Sequence, residues 1–293
     1  MIALRKAAII MNEILPIEVL PIIPSALKIQ GGKRKIVEWL RKEFPPHQTY
    51  VEPFVGSGTV AMNSSIQPMR LSDTNPAIIS YLKYCQGFSE TAGVKLLKKL
   101  KFWNQELVKN GKEFYYEFRT DYNRDPTPEK FLMINHLCFN GMIRFNDKGI
   151  FNVPYGQVKE ITEARMLSWI SRTMSMKERF ALATIIKCPY SDTIDYAKDY
   201  PDVFIYCDPP YAGREATYYN PWTEKDEAAL AEALGSIKGK FAVSTWISAG
   251  NLGNPNLKKY WKQYNVSSRF HQYMVGPKGK NRPGVIEGLI KNY

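Results

Sequence analysis

The tetrapeptide Asp208-Pro209-Pro210-Tyr211 contains the residues of this sequence best suited to chemistry. It follows the apolar run 203–207, which predicts a short buried strand that ends at the two prolines. A carboxylate, two residues without a backbone N–H and an aromatic ring are therefore expected together at the carboxyl end of a strand. In open α/β sheets, this edge is where ligands bind.

This set of groups suits the methylation of an amino group attached to an aromatic ring. Such a nitrogen is a poor nucleophile because its lone pair is delocalised into the ring. The Asp208 carboxylate and the Pro209 carbonyl can accept hydrogen bonds from its two N–H groups, while the Tyr211 ring stacks on the base. The structural alternative is a Pro-Pro turn that only ends a strand, and the tetrapeptide alone leaves both interpretations open.

A glycine turn after an earlier predicted strand is a second candidate site. Residues 50–63 have the order strand, turn and helix, and Gly56 and Gly58 allow the backbone to approach a ligand closely. The turn lacks the full spacing of a pyrophosphate-binding glycine loop, so a dinucleotide is the weaker interpretation.

Asp73 ends the next short stretch after the glycine turn. An acidic residue at the tip of the second strand is suited to binding ribose hydroxyl groups. The alternative is that Asp73 caps the helix that begins near Pro76, and the two roles are compatible.

A basic Gly-Gly turn, Gly31-Gly32, precedes both of these features and leads into the amphipathic stretch 36–40. A turn of this kind before a helix can present N–H groups to an anion, such as the methionine carboxylate of a cofactor. A solvated basic turn is the alternative that remains open.

Six motifs occur in the order typical of the Dam-like, D12-class DNA adenine-N6 methyltransferases: KIQGGK, VEPFVGSG, SDTN, FNGMIRFN, FNVPYG and YCDPPY. The sequence resembles this family from about Lys28 to Tyr293. The resemblance implies an α/β fold with a doubly wound sheet that binds S-adenosylmethionine (AdoMet), and a mainly helical target-recognition insert. It also implies transfer of the methyl group to N6 of adenine in double-stranded DNA.

The resemblance assigns roles to particular residues of this chain. The catalytic residues would be Asp208, Pro209, Pro210 and Tyr211. The cofactor-binding residues would be Gly31, Gly32, Lys33, Glu52, Pro53, Phe54, Gly56, Ser57, Gly58, Asp73 and Asp208. The segment 188–192 occupies the place where relatives hold the cofactor adenine, but the match is weak and no single residue is assigned.

Three regions are predicted along the chain. Residues 1–24 form an N-terminal extension, residues 25–92 and 180–293 the catalytic domain, and residues 93–179 the target-recognition insert. Helical periodicity is evident over 94–109 and 128–140. The insert is dense in aromatic residues, and most of them are interpreted as its core. They are Phe102, Trp103, Phe114, Tyr115, Tyr116, Phe118 and Tyr122.

The segment 139–146 is the expected site of base recognition. Arginine can bond guanine O6 and N7 together, which contributes about 1–3 kcal/mol of discrimination. By resemblance, Phe139 would wedge into the base stack, Asn140 would meet the orphaned thymine and Arg144 would bind guanine. Met142 and Pro154 would add apolar contacts, and Lys28 would contact a base. A surface salt bridge is the alternative role for Arg144.

The charge balance favours a polyanionic partner. The chain has a formal net charge of +12 and a pI near 9.3. The segment 276–284 is interpreted as a basic loop between strands, in which Lys278, Lys280 and Arg282 would contact DNA phosphates. A solvent loop without such contacts is the alternative.

Other classes of protein receive little support from the sequence. The four cysteines lack metal-binding spacing, so we expect no metal site and reduced thiols in a cytoplasm. No apolar run approaches the roughly 20 residues that span a membrane. The apolar stretch 2–24 is interrupted by Glu13 and Glu18 and is interpreted as part of the extension; Met11 is an alternative start.

Several questions of substrate and role remain open from the sequence. An RNA or protein-glutamine methyltransferase and a catalytically silent DNA-binding relative are the alternative functions. A GATC-like site is the default from Asn140, Arg144 and Lys28. A partner of a restriction endonuclease, a phage enzyme and a solitary regulatory enzyme would share these residues, and a monomer is expected.

Overall fold

A central, mostly parallel β-sheet organises the protein. The computed structural model describes residues 21–64, 68–211, 222–271 and 285–293, and within them the sheet has eight strands. These are β1 (Thr49–Glu52), β2 (Met69–Asp73), β3 (Ala183–Lys187), β4 (Val203–Cys207), β5 (Lys240–Ala249), β6 (Leu252–Gly253), β7 (Asn265–His271) and β8 (Val285–Lys291).

The strand order is β3-β2-β1-β4-β5-β8-β7, with the short β6 paired to β5. Strands β1 to β5 run parallel to one another, whereas β8 is antiparallel to both β5 and β7. The order reverses between β1 and β4, because the chain moves outward from β1 to β3 before it returns to β4. Open sheets of this kind bind ligands beyond the carboxyl ends of the strands at such a switch point.

Helices cover both faces of the sheet. They are α1 (Val37–Glu43), α2 (Thr59–Asn63), α3 (Pro76–Gln86), α4 (Glu90–Arg124), α5 (Pro128–Leu137), α6 (Glu163–Phe180), α7 (Tyr190–Ala197), α8 (Glu224–Gly235) and α9 (Pro255–Tyr260). Local capping explains several of the helix starts. For example, the Thr223 side chain and Asp226 bond each other's backbone at the start of α8.

The core is divided between the two faces of the sheet by the alternation of side chains along each strand. Phe204 and Tyr206 of β4 belong to the larger hydrophobic cluster, together with helices α1 to α6. Ile205 and Cys207 belong to the smaller cluster, which α7 and α8 cover. Both faces of β4 are therefore buried, as its uninterrupted apolar sequence predicts.

The helices of the predicted insert share the larger cluster with the sheet. Tyr115, Phe118 and Tyr122 of α4 are buried there. Phe102 is 59% exposed, so it is not one of the aromatic residues that form the insert core. It lies on the solvent side of α4, where helical periodicity leaves one face outside the core.

The helix boundaries differ from the sequence prediction at two places. Helix α4 extends through Arg124, and its backbone leaves the helical region at Gly111, where φ is 51°. Helix α5 ends at Leu137 rather than near Asn140, because the backbone of Cys138 is already extended; Asn140 then adopts φ 54° within a 3-10 turn. In the described part of the chain, no helix has the length and apolar character needed to cross a membrane.

Candidate active site

The tetrapeptide that follows β4 lies at the carboxyl edge of the parallel strands. Strand β4 is fully buried between β1 and β5, which confirms the strand predicted over 203–207. Asp208 Oδ1 is 2.8 Å from Lys33 Nζ; the two side chains are 23% and 4% exposed. The first residue of the tetrapeptide is therefore ion-paired with a residue of the Gly-Gly turn.

Lys33 reaches this position from the short 3-10 helix Lys33–Lys35 that follows the turn. Its ammonium group also donates a hydrogen bond to the Gly31 carbonyl at 3.0 Å. In addition, it lies 5.1 Å from the centroid of the Tyr211 ring, which is within cation–π range. Lys33 thus contacts both ends of the tetrapeptide, which the sequence did not predict.

Tyr211 is held at its far end by an acidic residue of β8. The Tyr211 hydroxyl donates a hydrogen bond to Glu287 Oε2 at 2.7 Å, and Glu287 is 0% exposed. Sequence analysis did not identify Glu287. The available signal was a lone carboxylate in the apolar run 285–290, although nothing in that run indicates its partner.

A second buried acid, Glu52, ends β1 beside the tetrapeptide. The Tyr50 hydroxyl donates to Glu52 Oε2 at 2.7 Å. Burial raises the pKa of Glu52 well above its ordinary value, an effect that this hydrogen bond opposes and the nearby Asp208 and Asp73 carboxylates increase. Burial also raises the pKa of Asp208, although the Lys33 charge opposes the shift.

The glycine turn after β1 is closed by Asp73. Asp73 Oδ2 accepts a hydrogen bond from the Gly56 N–H at 3.0 Å, and Oδ1 accepts one from the Asn75 N–H at 2.9 Å. Burial raises the pKa of Asp73, and these backbone hydrogen bonds oppose the shift. The suggestion that Asp73 caps the following helix is wrong: Asn75 caps α3 and accepts from the N–H of Ala77.

Two glycines in this turn have backbone angles that other residues rarely adopt. Gly56 has φ 47° and Gly58 has φ 73°. A Cβ on Gly58 would lie 2.9 Å from the Phe180 ring, so the turn packs closely on α6. Next to it, the hydroxyl groups of Ser57 and Thr59 are 2.8 Å apart. The N–H groups of Gly56 and Gly58 bond within the protein, to Asp73 Oδ2 and to the Val55 carbonyl, and these bonds fix the shape of the turn.

Aromatic side chains also border this edge of the sheet. The Phe54 and Tyr190 rings are stacked with centroids 5.2 Å apart, and Trp222 meets Phe54 edge-on at 5.6 Å. Pro53, which precedes Phe54, accepts a 3.5 Å hydrogen bond from the Ser72 hydroxyl. The segment 188–192 thus contributes Tyr190 to the wall of the site, whereas Asp192 is exposed.

The predicted base-recognition residues lie in a loop that we call the recognition loop, residues 138–156. Isolated antiparallel bridges, Cys138 with Tyr155 and Phe145 with Phe151, hold it together. Arg144 bonds Asn152, through Nε to Oδ1 at 2.8 Å and through Nη2 to the backbone carbonyl at 3.2 Å. In the described structure the bonds of Arg144 therefore go to a neutral residue of the same loop, rather than to a salt-bridge partner.

The other predicted residues of this loop differ in exposure. Phe139 is 45% exposed, and Asn140 and Pro154 are also exposed. The Phe139 N–H bonds the Pro154 carbonyl at 2.8 Å, so the two residues are adjacent. Met142 is buried in the core and does not join them on the surface.

Lys28 is fixed beside this loop by a buried amide. Asn135 Oδ1 accepts from the Lys28 N–H at 2.8 Å, and its Nδ2 donates to the Lys28 carbonyl at 3.0 Å and the Gly141 carbonyl at 3.1 Å. A Cβ on Gly141 would lie 2.4 Å from the Lys28 Cβ, so the two segments are in close contact. Burial lowers the pKa of Lys28, and the nearby Arg165 charge adds to the effect. Sequence analysis did not identify Asn135.

Two predicted parts of the chain lie outside the residues that the structure describes. They are the extension up to residue 20 and the basic residues Lys278, Lys280 and Arg282. Across the residues that are described, no group of three or more His, Cys, Asp or Glu side chains is arranged to hold a metal ion.

The fold and the candidate site together define a class of protein. It is an α/β protein with a central, mostly parallel sheet that is flanked by helices. Its candidate site combines a glycine turn, an acid at the tip of β2 and the tetrapeptide after β4 at one edge of that sheet.

Comparison with known proteins identifies the family. The profile described as D12 class N6 adenine-specific DNA methyltransferase matches residues 30–275. The chain is 32% identical over 275 residues to the DNA adenine methylase of Vibrio cholerae serotype O1, covering 90% of this chain and 95% of that one. It is 31% identical over 219 residues to the DNA adenine methylase of Escherichia coli K12, covering 70% and 73%.

A third relative comes from an archaeon. The Type II methyltransferase M.MjaIII of Methanocaldococcus jannaschii is 27% identical over 300 residues, covering 91% of this chain and 98% of that one. The chain belongs to the D12 class of N6 adenine-specific DNA methyltransferases. The protein is accordingly a DNA adenine methyltransferase.

Proposed function

We propose that this enzyme uses AdoMet to methylate N6 of an adenine turned out of duplex DNA, within a short GATC-like site. The observation that carries the proposal is the placement of Asp208, Pro209 and Tyr211 at the end of β4, beside the glycine turn of β1. An acceptor pair and an aromatic ring beside a cofactor turn suit transfer to an aromatic amino group.

The charges of the site support AdoMet as the cofactor. The carboxylates of Glu52, Asp73 and Asp208 converge on this edge, and burial raises the pKa of each. Lys33 neutralises Asp208 in part. A ligand that brings further positive charge would stabilise the remaining carboxylates in their ionised form. AdoMet is such a ligand, because it has a sulfonium and an ammonium group.

The predicted cofactor contacts can be assigned to parts of the ligand. We assign the methionine carboxylate to the Gly31-Gly32 turn and the ribose hydroxyls to Asp73, whose Oδ2 already fixes the Gly56 N–H. We assign the cofactor adenine to the wall formed by Phe54 and Tyr190. When bound, AdoMet supplies an electrophilic methyl group.

The tetrapeptide performs the remaining chemistry. Lys33 holds Asp208 Oδ1, so we assign Oδ2 and the Pro209 carbonyl to the two N–H groups of the target adenine. These hydrogen bonds would draw the lone pair of N6 out of conjugation, so that N6 could bond the methyl carbon as the bond between that carbon and the AdoMet sulfur breaks. The sulfonium would leave as a neutral thioether, S-adenosylhomocysteine. N6 loses one proton after the bond forms, and the raised pKa of Asp208 suits a transient acceptor for that proton.

DNA recognition is assigned to the recognition loop and its neighbour Lys28. An adenine inside a duplex is paired and stacked, so it must leave the helix, at a cost of a few kcal/mol. The exposed Phe139 can fill the gap, Asn140 can pair with the orphaned thymine, and Arg144 and Lys28 can bond bases. Met142 supports the loop from the core, and Pro154 borders the surface beside Phe139.

The assignment of regions is part of the same proposal. Residues 93–179 act as the target-recognition insert, and 25–92 with 180–293 as the AdoMet-binding domain. Lys278, Lys280 and Arg282 contact phosphates. We also infer that the enzyme works as a monomer. The four free cysteines support a location in the reducing cytoplasm.

A substrate panel tests this function. The purified protein and radiolabelled AdoMet are incubated with a GATC duplex, a duplex of the same base composition that lacks GATC, single-stranded RNA and bulk protein. Transfer to the GATC duplex alone supports the proposal. Transfer to RNA or protein instead would contradict it, and AdoMet binding without any transfer would favour a silent DNA-binding relative.

A further inference from the structure

Glu287 is a buried acid that the proposed chemistry does not use. It lies in the middle of β8 within an apolar run, and its side chain is fully buried. Moving a carboxylate out of water costs several kcal/mol unless hydrogen bonds and nearby charges compensate. A neutral residue at this position would fill the sheet at a lower cost in free energy.

The sheet directs Glu287 toward the tetrapeptide. On β8, Glu287 is the direct partner of Trp246 on β5, and Leu289 is the partner of Ser244. Directly opposed residues share a face, so Glu287 lies on the face that carries Ser244. The Ser244 hydroxyl is 2.7 Å from that of Tyr206, which shares this face with Asp208 by the alternation of β4.

The register that places Glu287 is itself tightly constrained. The next residue, Gly288, has no room for a side chain, because a Cβ there would lie 2.8 Å from the Ile247 side chain. Strand β8 is also bonded on both sides, to β5 and to β7. Glu287 is therefore fixed by the backbone of two neighbouring strands, and it can act as a fixed acceptor.

The Tyr211 hydroxyl meets that acceptor at 2.7 Å. A tyrosine ring has two side-chain torsions, and a hydrogen bond at its far end restricts the first, which sets the direction in which the ring points. The hydroxyl oxygen lies on the axis of the second torsion, so the face of the ring is held by its other contacts. Lys33 contacts the ring face at 5.1 Å and also pairs with Asp208. The two ends of the tetrapeptide are thus held by different elements, Asp208 by the Gly-Gly turn and Tyr211 by β8.

We propose that Glu287 is a positioning residue that sets the orientation of the Tyr211 ring in the target-base pocket. The inference rests on the proposed function, in which this ring stacks on the extruded adenine. A ring fixed before the base arrives loses less conformational freedom when it stacks, and it holds N6 in line for transfer. Loss of the acceptor leaves the Tyr211 hydroxyl without this bond and frees the ring to swing about its first side-chain torsion.

A double-mutant cycle on Glu287 and Tyr211 tests the proposal. The variants are E287A, Y211F and the double variant, with E287Q as the conservative change and E232A, an exposed acid of α8, as the control. Single-turnover methylation of duplex DNA gives the rate of transfer. AdoMet affinity and the thermal midpoint are measured separately for every variant.

E287A is expected to slow transfer about 10–100-fold, the range for losing a hydrogen bond to a charged group. Y211F is expected to act in the same direction, and the double variant to be no slower than the slower single variant, because both changes remove one interaction. E287Q keeps an acceptor oxygen and is expected to recover most of the loss. AdoMet affinity should change by less than about threefold, as Glu287 is assigned no contact with the cofactor.

Three outcomes would overturn the inference. One is additive losses in E287A and Y211F. Another is equal losses in E287A and E287Q, together with a lower thermal midpoint in both, which would mark Glu287 as a residue of the fold alone. The third is unchanged transfer in E287A.

Failure of the proposed function would look different. Wild-type enzyme would then methylate no DNA although it is folded and binds AdoMet, and the inference would fall with it. If wild-type enzyme methylates a motif other than GATC, the cycle is run on that motif and judged by the same criteria.

Discussion

Lys33 and Asp208 form an ion pair, with Nζ 2.8 Å from Oδ1, between the turn that precedes α1 and the tetrapeptide that follows β4. The pair joins the predicted cofactor turn to the predicted catalytic carboxylate. A change at either position is therefore expected to alter the charge of the other group, as well as its place in the site.

The first prediction concerns the pH dependence of Lys33→Met. Burial raises the pKa of Asp208 and the Lys33 charge lowers it, so removal of that charge raises the pKa further. Transfer requires the ionised carboxylate, and the acidic limb of the profile of kcat/KM against pH should move to higher pH. Lys35→Met, an exposed residue of the same 3-10 helix, is the control and should leave the limb in place. An unmoved limb in Lys33→Met would contradict the electrostatic coupling.

The second prediction concerns Asp208→Ala. Methyl transfer should fall by at least about 10²-fold, the scale for removing a group that stabilises developing charge. AdoMet affinity should remain within about tenfold, a difference of about 1.4 kcal/mol, because the glycine turn and Asp73 are unchanged. Asp202→Ala, an exposed acid before the same strand, is the matched control. Activity that survives in Asp208→Ala would remove this residue from its assigned role.

The third prediction concerns stability and Glu52. Burial raises the pKa of this carboxyl well above its ordinary value, so the folded state binds its proton more readily than the unfolded state. This tighter proton binding contributes to the free energy of unfolding. The contribution is fully present below the ordinary pKa and is lost as pH rises toward the raised pKa. The side chain of the Glu52→Gln variant cannot ionise. The thermal midpoint of the variant relative to that of wild type should therefore be higher at pH 8 than at pH 5. AdoMet binding should weaken.

Glu38→Gln, an exposed acid of α1, provides the comparison for that experiment. Its difference from wild type should be the same at both pH values. A constant difference for Glu52→Gln as well would show that Glu52 does not titrate differently in the folded state.

The fourth prediction concerns base recognition by Arg144. Arg144→Ala should lose about 1–3 kcal/mol of discrimination at a single guanine, or roughly 5–150-fold in relative kcat/KM. The measurement compares duplexes with one base pair replaced at each position of the site. Lys148→Ala, an exposed change in the same loop, should leave the selectivity unchanged. Uniform weakening on all duplexes in Arg144→Ala would instead indicate a phosphate contact.

Local patterns predicted the parts of the fold that depend on neighbouring residues. The apolar run before Asp208 predicted β4 because a strand buried on both faces needs no polar alternation. Gly56 and Gly58 indicated a turn because their left-handed angles are accessible to glycine. The cap of α3 was less certain, since Asp73 and Asn75 are both suitable residues and only the geometry separates them.

The contacts between distant segments could not be predicted in the same way. Glu287 meets Tyr211 only because β8 inserts beside β5, and the sequence of neither segment specifies that order. Asn135 was overlooked because a lone amide in a helix is common, and its three bonds depend on how Lys28 passes α5. These partnerships follow from the sheet order and helix packing, so only the folded chain reveals them.

The most direct test of the central claim is methylation of unmethylated plasmid DNA by the purified enzyme with AdoMet, read by sequencing that detects N6-methyladenine. Asp208→Ala serves as the parallel reaction. We predict N6-methyladenine at one short motif that contains GATC or resembles it, and none with the variant. Unmodified plasmid after incubation with folded, AdoMet-binding wild-type enzyme would contradict the claim, as would equal modification by Asp208→Ala.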